Sequence, residues 1–200
     1  CTDNDFFKAN NHYKLKELSE LYKQNNKRVI LSVAKFMKRE SPWDILKAFV
    51  KLNRTDLSLV LVGDGGEKQA LQKYASNFPN LNIHFPGYIK YTDLPSYYQI
   101  SDIFIHAAKD EPWGVSVQEA MGGNCFVICS DKVGSAQDLI INGKNGFTYP
   151  YGEYELLASK ISDALNISKQ VVTESNNSIL SYWNYDLMWN NIMKAAAPNI

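Results

Sequence analysis

The sequence has little of what several classes of protein require, and each shortage narrows the function. Only three cysteines occur in 200 residues, at positions 1, 125 and 129. So few, unevenly spaced cysteines do not form a disulfide framework or a zinc site, so we interpret Cys125 and Cys129 as small buried hydrophobic residues in a reducing cytoplasm. Lysine and arginine together number 21, as do aspartate and glutamate, and this balance argues against a nucleic-acid partner.

Long apolar runs are also missing. No stretch approaches the roughly 20 apolar residues of a membrane-spanning helix, and no signal-peptide pattern is present. The first residue is cysteine rather than methionine, so we expect a fragment or a processed piece of a longer protein. The length is sufficient for one globular domain with a sizeable core.

Short apolar runs alternate with amphipathic segments along the whole chain. Polar or glycine-rich residues bound each run, as expected for buried strands. This alternation predicts an α/β fold with a Rossmann-like parallel sheet of about six strands and helices on both faces. The six predicted strands are Arg28–Ala34, Leu57–Val62, Leu81–Phe85, Ile103–Ala107, Cys125–Cys129 and Gly146–Tyr149.

Three regions follow from this pattern. We expect residues 1–24 to form a connector and a leading helix, residues 25–182 the main domain, and residues 183–200 a C-terminal helix and tail.

Residues 111–120, which read EPWGVSVQEA, carry two carboxylates around a turn that leads into a helix. Pro112 disfavours helical backbone at Glu111, which places that carboxylate on a loop. Gly114 lacks a Cβ and lets a ligand approach the main chain. Glu119 then lies in the first turns of the helix.

The start of this helix is suited to an anion. The free N–H groups near Val115 and Ser116 form a site for a phosphate. Because carboxylates are strong acceptors for hydroxyl groups, Glu111 and Glu119 suggest a ligand with hydroxyls on both sides of a diphosphate, as in a nucleotide sugar. The alternative is that Glu119 is a charge favoured by the helix dipole and Glu111 a solvated loop residue.

Several other loops are predicted to reach the same edge of the sheet. Lys35, Gly63, Gly87 and Glu111 all follow strands, with Arg39 just beyond the first, and ligands of such sheets bind outside the carboxyl ends of the strands. The glycine turn can instead be structural and the cations a solvated rim. The histidines beside strands are interpreted as near-core groups rather than catalysts; they are His84 and His106.

The ordered motifs resemble the C-terminal, donor-binding half of the GT-B fold retaining glycosyltransferases of the GT4 type, the glycosyl transferases group 1. The resemblance extends from Asp3 to about Trp189, and Glu111 to Glu119 matches the Glu-x7-Glu motif of that family. Further matching blocks occur in the family's order; they are Leu61–Gly65, Gly87–Ile89, Ser101–Phe104, Glu119–Met121 and Asn142–Phe147.

The resemblance implies roles for the helix start. Glu119 would hold the ribose hydroxyls, and Glu111 would bind hydroxyls of the donor sugar. Backbone N–H groups of Gly114, Val115 and Ser116 would bind the diphosphate.

It also implies roles for the earlier loops. Lys35 takes the place of an arginine that neutralises the leaving diphosphate, Ile89 would lie beside the base, and Gly63 belongs to the same donor site. The position of the family's phosphate-binding lysine holds Glu40, so Arg39 or Lys38 is the candidate substitute, unless the loop differs in register. Lysine in place of arginine at position 35 keeps the charge but lacks the bidentate fork.

The implied reaction is transfer of a glycosyl group, of hexosyl type, from a nucleotide diphosphate sugar to an acceptor hydroxyl, with retention and with neither metal nor cofactor. Residues 25–182 would be the nucleotide-sugar-binding domain. The missing N-terminal half would supply the acceptor site and any peripheral contact with a membrane, so we expect the chain to be inactive alone. By analogy, the pathway would be bacterial surface polysaccharide synthesis in the cytoplasm, at the inner face of the membrane.

Two other functions stay open at this point. A sugar-nucleotide epimerase shares the two-domain plan but would need catalytic acids and histidines in the cleft. A non-enzymatic nucleotide-binding or flavodoxin-like module would bind its ligand at the same sheet edge. The base, the sugar and the acceptor are not assigned by the sequence.

Overall fold

The computed structural model describes residues 2–196. A six-stranded sheet lies at its centre, and every neighbouring pair of strands is parallel. This confirms the predicted α/β class and the Rossmann-like parallel sheet. In chain order the strands are β1 Arg28–Val33, β2 Leu57–Val62, β3 Asn82–Gly87, β4 Ile103–His106, β5 Phe126–Ser130 and β6 Gly146–Tyr149.

The spatial order of the strands is β3-β2-β1-β4-β5-β6. From β1 the chain adds β2 and then β3 on one side of the sheet. It then returns to the other side of β1 and adds β4, β5 and β6 in that order. The strand order reverses between β1 and β4, and the crevice outside the carboxyl ends of these two strands is the usual ligand position in sheets of this kind. Residues that follow these two strands therefore define the candidate site.

Helices cover both faces of the sheet, because the strands are apolar on both sides. The helices are α1 Asn4–Lys8, α2 His12–Tyr22, α3 Pro42–Leu52, α4 Lys68–Ala75, α5 Leu94–Ile100, α6 Val115–Gly122, α7 Ala136–Leu139, α8 Tyr154–Ala164, α9 Lys169–Tyr182 and α10 Tyr185–Ala196. One core cluster lies under α1, α2, α5 and α6, and a second lies under α3, α4 and α8.

The sequence pattern did not predict α9. Its buried positions are Val172, Asn176 and Leu180, so a polar residue interrupts the apolar stripe. Asn176 is fully buried, and its side-chain amide donates to the Cys125 carbonyl at 3.1 Å. This hydrogen bond gives the amide nitrogen a partner inside the core, where the pattern alone indicates a solvent-facing position.

Smaller differences lie at the termini and after β5. The expected connector begins with the short helix α1, with Asp3 as its N-cap. After β5 the helix α7 is only four residues long. Within residues 2–196 the C-terminal helix α10 has no buried residue. Cys1 and the predicted tail at residues 197–200 lie outside the described residues.

Candidate functional site

The crevice between β1 and β4 is bordered by two loops that contact each other directly. The Lys109 N–H, after β4, donates to the Arg39 carbonyl, after β1, at 2.7 Å. This hydrogen bond holds the loop of Arg39 against the loop that carries Glu111. The structure thus confirms that the polar loops predicted to follow these two strands lie at one edge of the sheet.

Glu111 is fixed through both its backbone and its side chain. Its N–H donates to the Lys132 carbonyl at 3.2 Å, and its carbonyl accepts from Gly134 N–H at 2.9 Å. One carboxylate oxygen, Oε1, accepts from the N–H groups of Gly114 at 3.0 Å and Trp113 at 3.4 Å. The carboxylate therefore closes the turn before α6 and retains Oε2 for other contacts.

The start of α6 has the geometry of an anion site. Gly114 is its N-cap residue in the left-handed region, with φ of 87°. A Cβ added there would lie 2.9 Å from Cγ1 of Val133, so a glycine is required. Val115 is exposed and Ser116 is half-buried. The N–H groups of these first helical residues have no intrahelical acceptor and are available to a ligand.

Glu119 lies further along α6 and has a fixed partner. The Tyr98 hydroxyl on α5 donates to Glu119 Oε2 at 2.8 Å. Burial raises the pKa of the Glu119 carboxyl, although the Tyr98 hydrogen bond acts in the opposite direction. Tyr98 itself is fully buried, and sequence reasoning missed it because an aromatic residue at a helical core position indicates packing only.

A separate cleft of about 540 Å³ opens at the carboxyl ends of β1, β2 and β3. Lys35, Gly63 and Ile89 all line it, as predicted for residues that follow these strands. Tyr91 also lines it, and the Glu119 carboxylate contributes to the raised pKa of this tyrosine, after burial. The negative charge of Glu119 therefore acts on the Tyr91 side of the cleft.

Gly63 and Lys35, which both line this cleft, differ in the polar groups that they leave available to a ligand. Gly63 has φ of 141°, and a Cβ there would lie 1.9 Å from the Ala34 carbonyl oxygen. Its N–H donates to the Gly87 carbonyl at 2.9 Å, so Gly63 permits a close approach but offers no free donor. Lys35 is exposed, and within residues 2–196 its ammonium makes no hydrogen bond or ion pair, so its charge is accessible.

Glu40 and His106 lie beside Glu111, with side-chain ligand atoms within 4.8 Å of one another. Glu40 is only 8% exposed, and Oε1 accepts from the Arg39 guanidinium at 3.3 Å. Arg39 is thus directed to a carboxylate of its own loop. Burial lowers the pKa of His106, which the negative charges of Glu40 and Glu111 partly offset.

The sequence also belongs to a recognisable family. Residues 14–179 match the model of the glycosyl transferases group 1. The chain is a member of this family. The expected recognition of a GT4-type domain is therefore confirmed, and the chain is a domain of the group 1 glycosyltransferases.

Two enzymes are among the proteins whose sequences are similar to this chain. The alpha-monoglucosyldiacylglycerol synthase of Acholeplasma laidlawii is 30% identical over 134 residues, which are 65% of this chain and 33% of that protein. The GDP-mannose-dependent alpha-mannosyltransferase of Mycobacterium tuberculosis is 35% identical over 97 residues, 48% of this chain and 24% of that protein. The matched segments therefore cover a third or less of these relatives' length.

Solved structures show the same fold. Anabaena Alr3699/HepE in complex with UDP and glucose has a TM-score of 0.81 at 20% identity, over 97% of this chain and 54% of that one. The C-terminal domain of a group 1 family protein, LpcC from Francisella tularensis, has a TM-score of 0.74 at 20% identity, over 95% of this chain and 97% of that domain. The sheet is thus the Rossmann-like half of a GT-B fold.

No helix between residues 2 and 196 combines the length and the hydrophobicity needed to cross a bilayer.

Proposed function

We propose that this chain binds a nucleotide diphosphate sugar and forms the donor half of a retaining glycosyltransferase. The observation that carries the proposal is the start of α6, where free N–H groups lie between two held carboxylates, Glu111 and Glu119, in a group 1 domain. A phosphate is favoured at the helix start, and the carboxylates on either side accept hydroxyl groups.

Each residue has a role in this proposal. Glu119 accepts hydrogen bonds from the ribose hydroxyls, while the Tyr98 hydroxyl holds one of its oxygens in place. Glu111 accepts from hydroxyls of the sugar through the oxygen that does not close the turn. The N–H groups of Val115 and Ser116, with that of Gly114 shared with Glu111, contact the diphosphate.

The remaining residues neutralise the charge of the diphosphate or contact the rest of the nucleotide. Lys35 places an accessible positive charge toward the leaving diphosphate, and stabilisation of that developing charge supplies much of the catalysis. Ile89 packs against the base, and Gly63 allows the ligand to approach the main chain. Arg39 reinforces the positive charge when it leaves Glu40. The proposed transfer assigns no metal and no cofactor.

The proposal also covers the rest of the enzyme, the acceptor, the transferred group and the cellular location. We infer that a second, acceptor-binding half completes the enzyme, because the matched regions cover only 33% of one relative and 54% of one solved structure. The acceptor is a hydroxyl of a bacterial surface polysaccharide precursor, the transferred group is a hexosyl, and the reaction takes place in the cytoplasm at the inner face of the membrane. The 200-residue chain alone should bind donor and not turn it over; transfer by it at ordinary enzyme rates would contradict this.

Titration calorimetry tests the donor proposal. The chain should bind one of UDP, GDP, ADP or dTDP in preference to the others, and Glu119→Gln should weaken that binding at least tenfold. Glu155→Gln, an exposed glutamate on α8, is the matched control and should change it less than twofold.

A ligand lacking the 2′-hydroxyl separates the ribose role from a general effect. The 2′-deoxy diphosphate should bind the unmodified chain at least fivefold more weakly, and it should show no such loss with Glu119→Gln, because the lost contact is the same one. Binding of a flavin, or independent losses from the two changes, would overturn the assignment.

A further inference from the structure

One buried histidine beside the site has a ring nitrogen without a partner. His106 is the last residue of β4 and is only 5% exposed. Its Nε2 is buried, and no group within residues 2–196 forms a hydrogen bond with it. A buried polar atom without a partner costs free energy and is uncommon in folded proteins. The arrangement therefore indicates that His106 gains a partner in another state of the protein.

His106 adjoins the residue that begins the anion site. Its Cδ2 atom lies 3.4 Å from the position that a Cβ of Gly114 would occupy. Gly114 is the N-cap residue of α6, and the proposed function assigns the first N–H groups of this helix to the diphosphate. A diphosphate bound there brings negative charge close to the imidazole of His106. Negative charge nearby favours the protonated form of a histidine.

The carboxylate of Glu40 is the group that can accept from this histidine. A carboxylate oxygen of Glu40 and a ring nitrogen of His106 lie within 4.8 Å of each other. Glu40 is 8% exposed, and its Oε1 accepts from the Arg39 guanidinium at 3.3 Å. The Arg39 side chain is 56% exposed, so water competes for it and the ion pair is weak. Arg39 can therefore leave Glu40 for a diphosphate, and Glu40 then lacks a positive partner.

We propose that His106 takes up one proton when a nucleoside diphosphate binds and that the resulting imidazolium replaces Arg39 as the partner of Glu40. The inference rests on the proposed function, because it requires the diphosphate to bind at the start of α6. The proton comes from solvent, the ring then carries a hydrogen on both nitrogens, and no bond of the ligand changes. The new positive charge lies beside the anion site and offsets the charge of the diphosphate. Glu111 keeps its second oxygen for the donor sugar.

The surroundings of His106 keep it neutral in the free chain and favour its charged form once an anion is bound. Burial lowers its pKa, and the carboxylates of Glu40 and Glu111 act in the opposite direction. Cys129 pairs with His106 across β4 and β5, and its thiol is uncharged because burial raises its pKa. The neighbouring residues from β1, the turn before α6 and the loop after β5 carry no charge; they are Val33, Gly114 and Val133.

Histidine NMR tests the inference on the unmodified chain, so the result does not depend on whether variants fold. The chain has three histidines, His12, His84 and His106, and their ring C–H signals report protonation as the pH is changed. Saturation with the preferred nucleotide among UDP, GDP, ADP and dTDP should move the titration midpoint of His106 to higher pH. His84 is the matched control, because burial lowers its pKa too, and its midpoint should stay in place.

Calorimetry at several pH values provides a second readout. As the pH falls from about 8 to about 6, nucleotide affinity of the unmodified chain relative to His106→Gln should rise about fivefold, because the complex holds a proton that the free chain lacks. This ratio cancels the titration of the nucleotide itself. His84→Gln should follow the unmodified chain within about twofold.

Glu40→Gln separates the proton uptake from the binding itself. At about pH 8 this variant should bind the nucleotide at least as tightly as the unmodified chain, because a negative charge beside the diphosphate is gone. The rise in affinity at lower pH should be smaller than in the unmodified chain, because the imidazolium loses its charged partner. A purely structural role of Glu40 would instead weaken binding equally at every pH.

The possible results distinguish this inference from the proposed function. Nucleotide binding that leaves the His106 midpoint unmoved would overturn the inference alone. The same pH dependence in the unmodified chain and in His106→Gln would also overturn it. Failure of all four nucleotides to bind at any pH would overturn the proposed function and the inference with it.

Discussion

The environment of Glu119 raises the pKa of its carboxyl group. Burial raises its carboxyl pKa above the ordinary value of 4.5, while the Tyr98 hydroxyl, which donates to it, lowers it in part. The charged form is therefore less favourable in the folded protein than in the unfolded chain, despite the hydrogen bond. A carboxylate that is retained at such a cost fits a role in ligand binding better than a role in stability.

This environment predicts a pH-dependent stability difference. Because the folded pKa is raised, the contribution of Glu119 to the free energy of unfolding is fully present below about pH 4.5 and is lost as pH rises through the folded pKa. The unmodified chain should thus lose stability relative to Glu119→Gln as pH rises from about 4 to about 8. Urea unfolding of both chains over this range measures the difference.

Tyr98→Phe provides the control for this prediction. Removal of the hydroxyl eliminates the one interaction that lowers the Glu119 pKa, so the pH range over which stability is lost should extend upward. An unfolding free-energy difference between the unmodified chain and Glu119→Gln that is constant with pH, or that rises with pH, would show that burial does not govern this carboxyl.

At the scale of elements, the start of α6 depends on one backbone conformation. Gly114→Ala should cost about 1–3 kcal/mol in the free energy of unfolding, because the left-handed region disfavours alanine and because the new Cβ would crowd Val133. It should also weaken diphosphate binding at least fivefold, since the N–H groups of Val115 and Ser116 move. Thermal unfolding and calorimetry measure the two effects.

Gly152→Ala is a matched control for this substitution. Gly152 has φ of 84°, close to the 87° of Gly114, and a Cβ there would meet no atom within 4 Å. Both variants share the backbone strain, and only Gly114→Ala adds the contact with Val133. Equal losses of stability, or equal diphosphate affinities, would argue against the account of the α6 start.

The attachment of α9 to the sheet gives a second prediction at this scale. Asn176→Ala should lower the free energy of unfolding by about 1–2 kcal/mol, because it removes the bond to the Cys125 carbonyl and leaves that group without a partner. The neighbouring Asn177 is exposed, so Asn177→Ala should change stability by less than about 0.5 kcal/mol. Urea unfolding of the two variants distinguishes them, and equal effects would contradict the role given to Asn176.

For the whole molecule, strong local signals made most of the sheet predictable from the sequence. The strands Leu57–Val62 and Gly146–Tyr149 have the predicted bounds because turn residues or glycine mark their ends. The Glu111 turn and the start of α6 were predictable for a similar reason, since Pro112 restricts the backbone before it and Gly114 permits the left-handed conformation. Parallel topology then placed the loops after the strands at one edge.

Features that depend on tertiary packing were not predictable in this way. Asn176 lies in the core only because a carbonyl of another segment meets its amide. Glu40, His106 and Glu111 each have a side-chain nitrogen or oxygen within 4.8 Å of the others, and they meet where the loop after β1 contacts the loop after β4. A polar residue on an apolar face indicates solvent unless its partner is known, and that partner lies far away in sequence.

The central claim is that the start of α6 and the adjoining cleft bind a nucleoside diphosphate. Titration of the ¹⁵N-labelled chain with UDP, GDP, ADP and dTDP, followed by amide NMR, tests it most directly. The account predicts that the preferred nucleotide shifts the amides of Val115, Ser116, Lys35 and Ile89 together and saturably, while α8 stays unchanged. Shifts confined to other surfaces such as α10, or no saturable shifts with any of the four nucleotides, would contradict it.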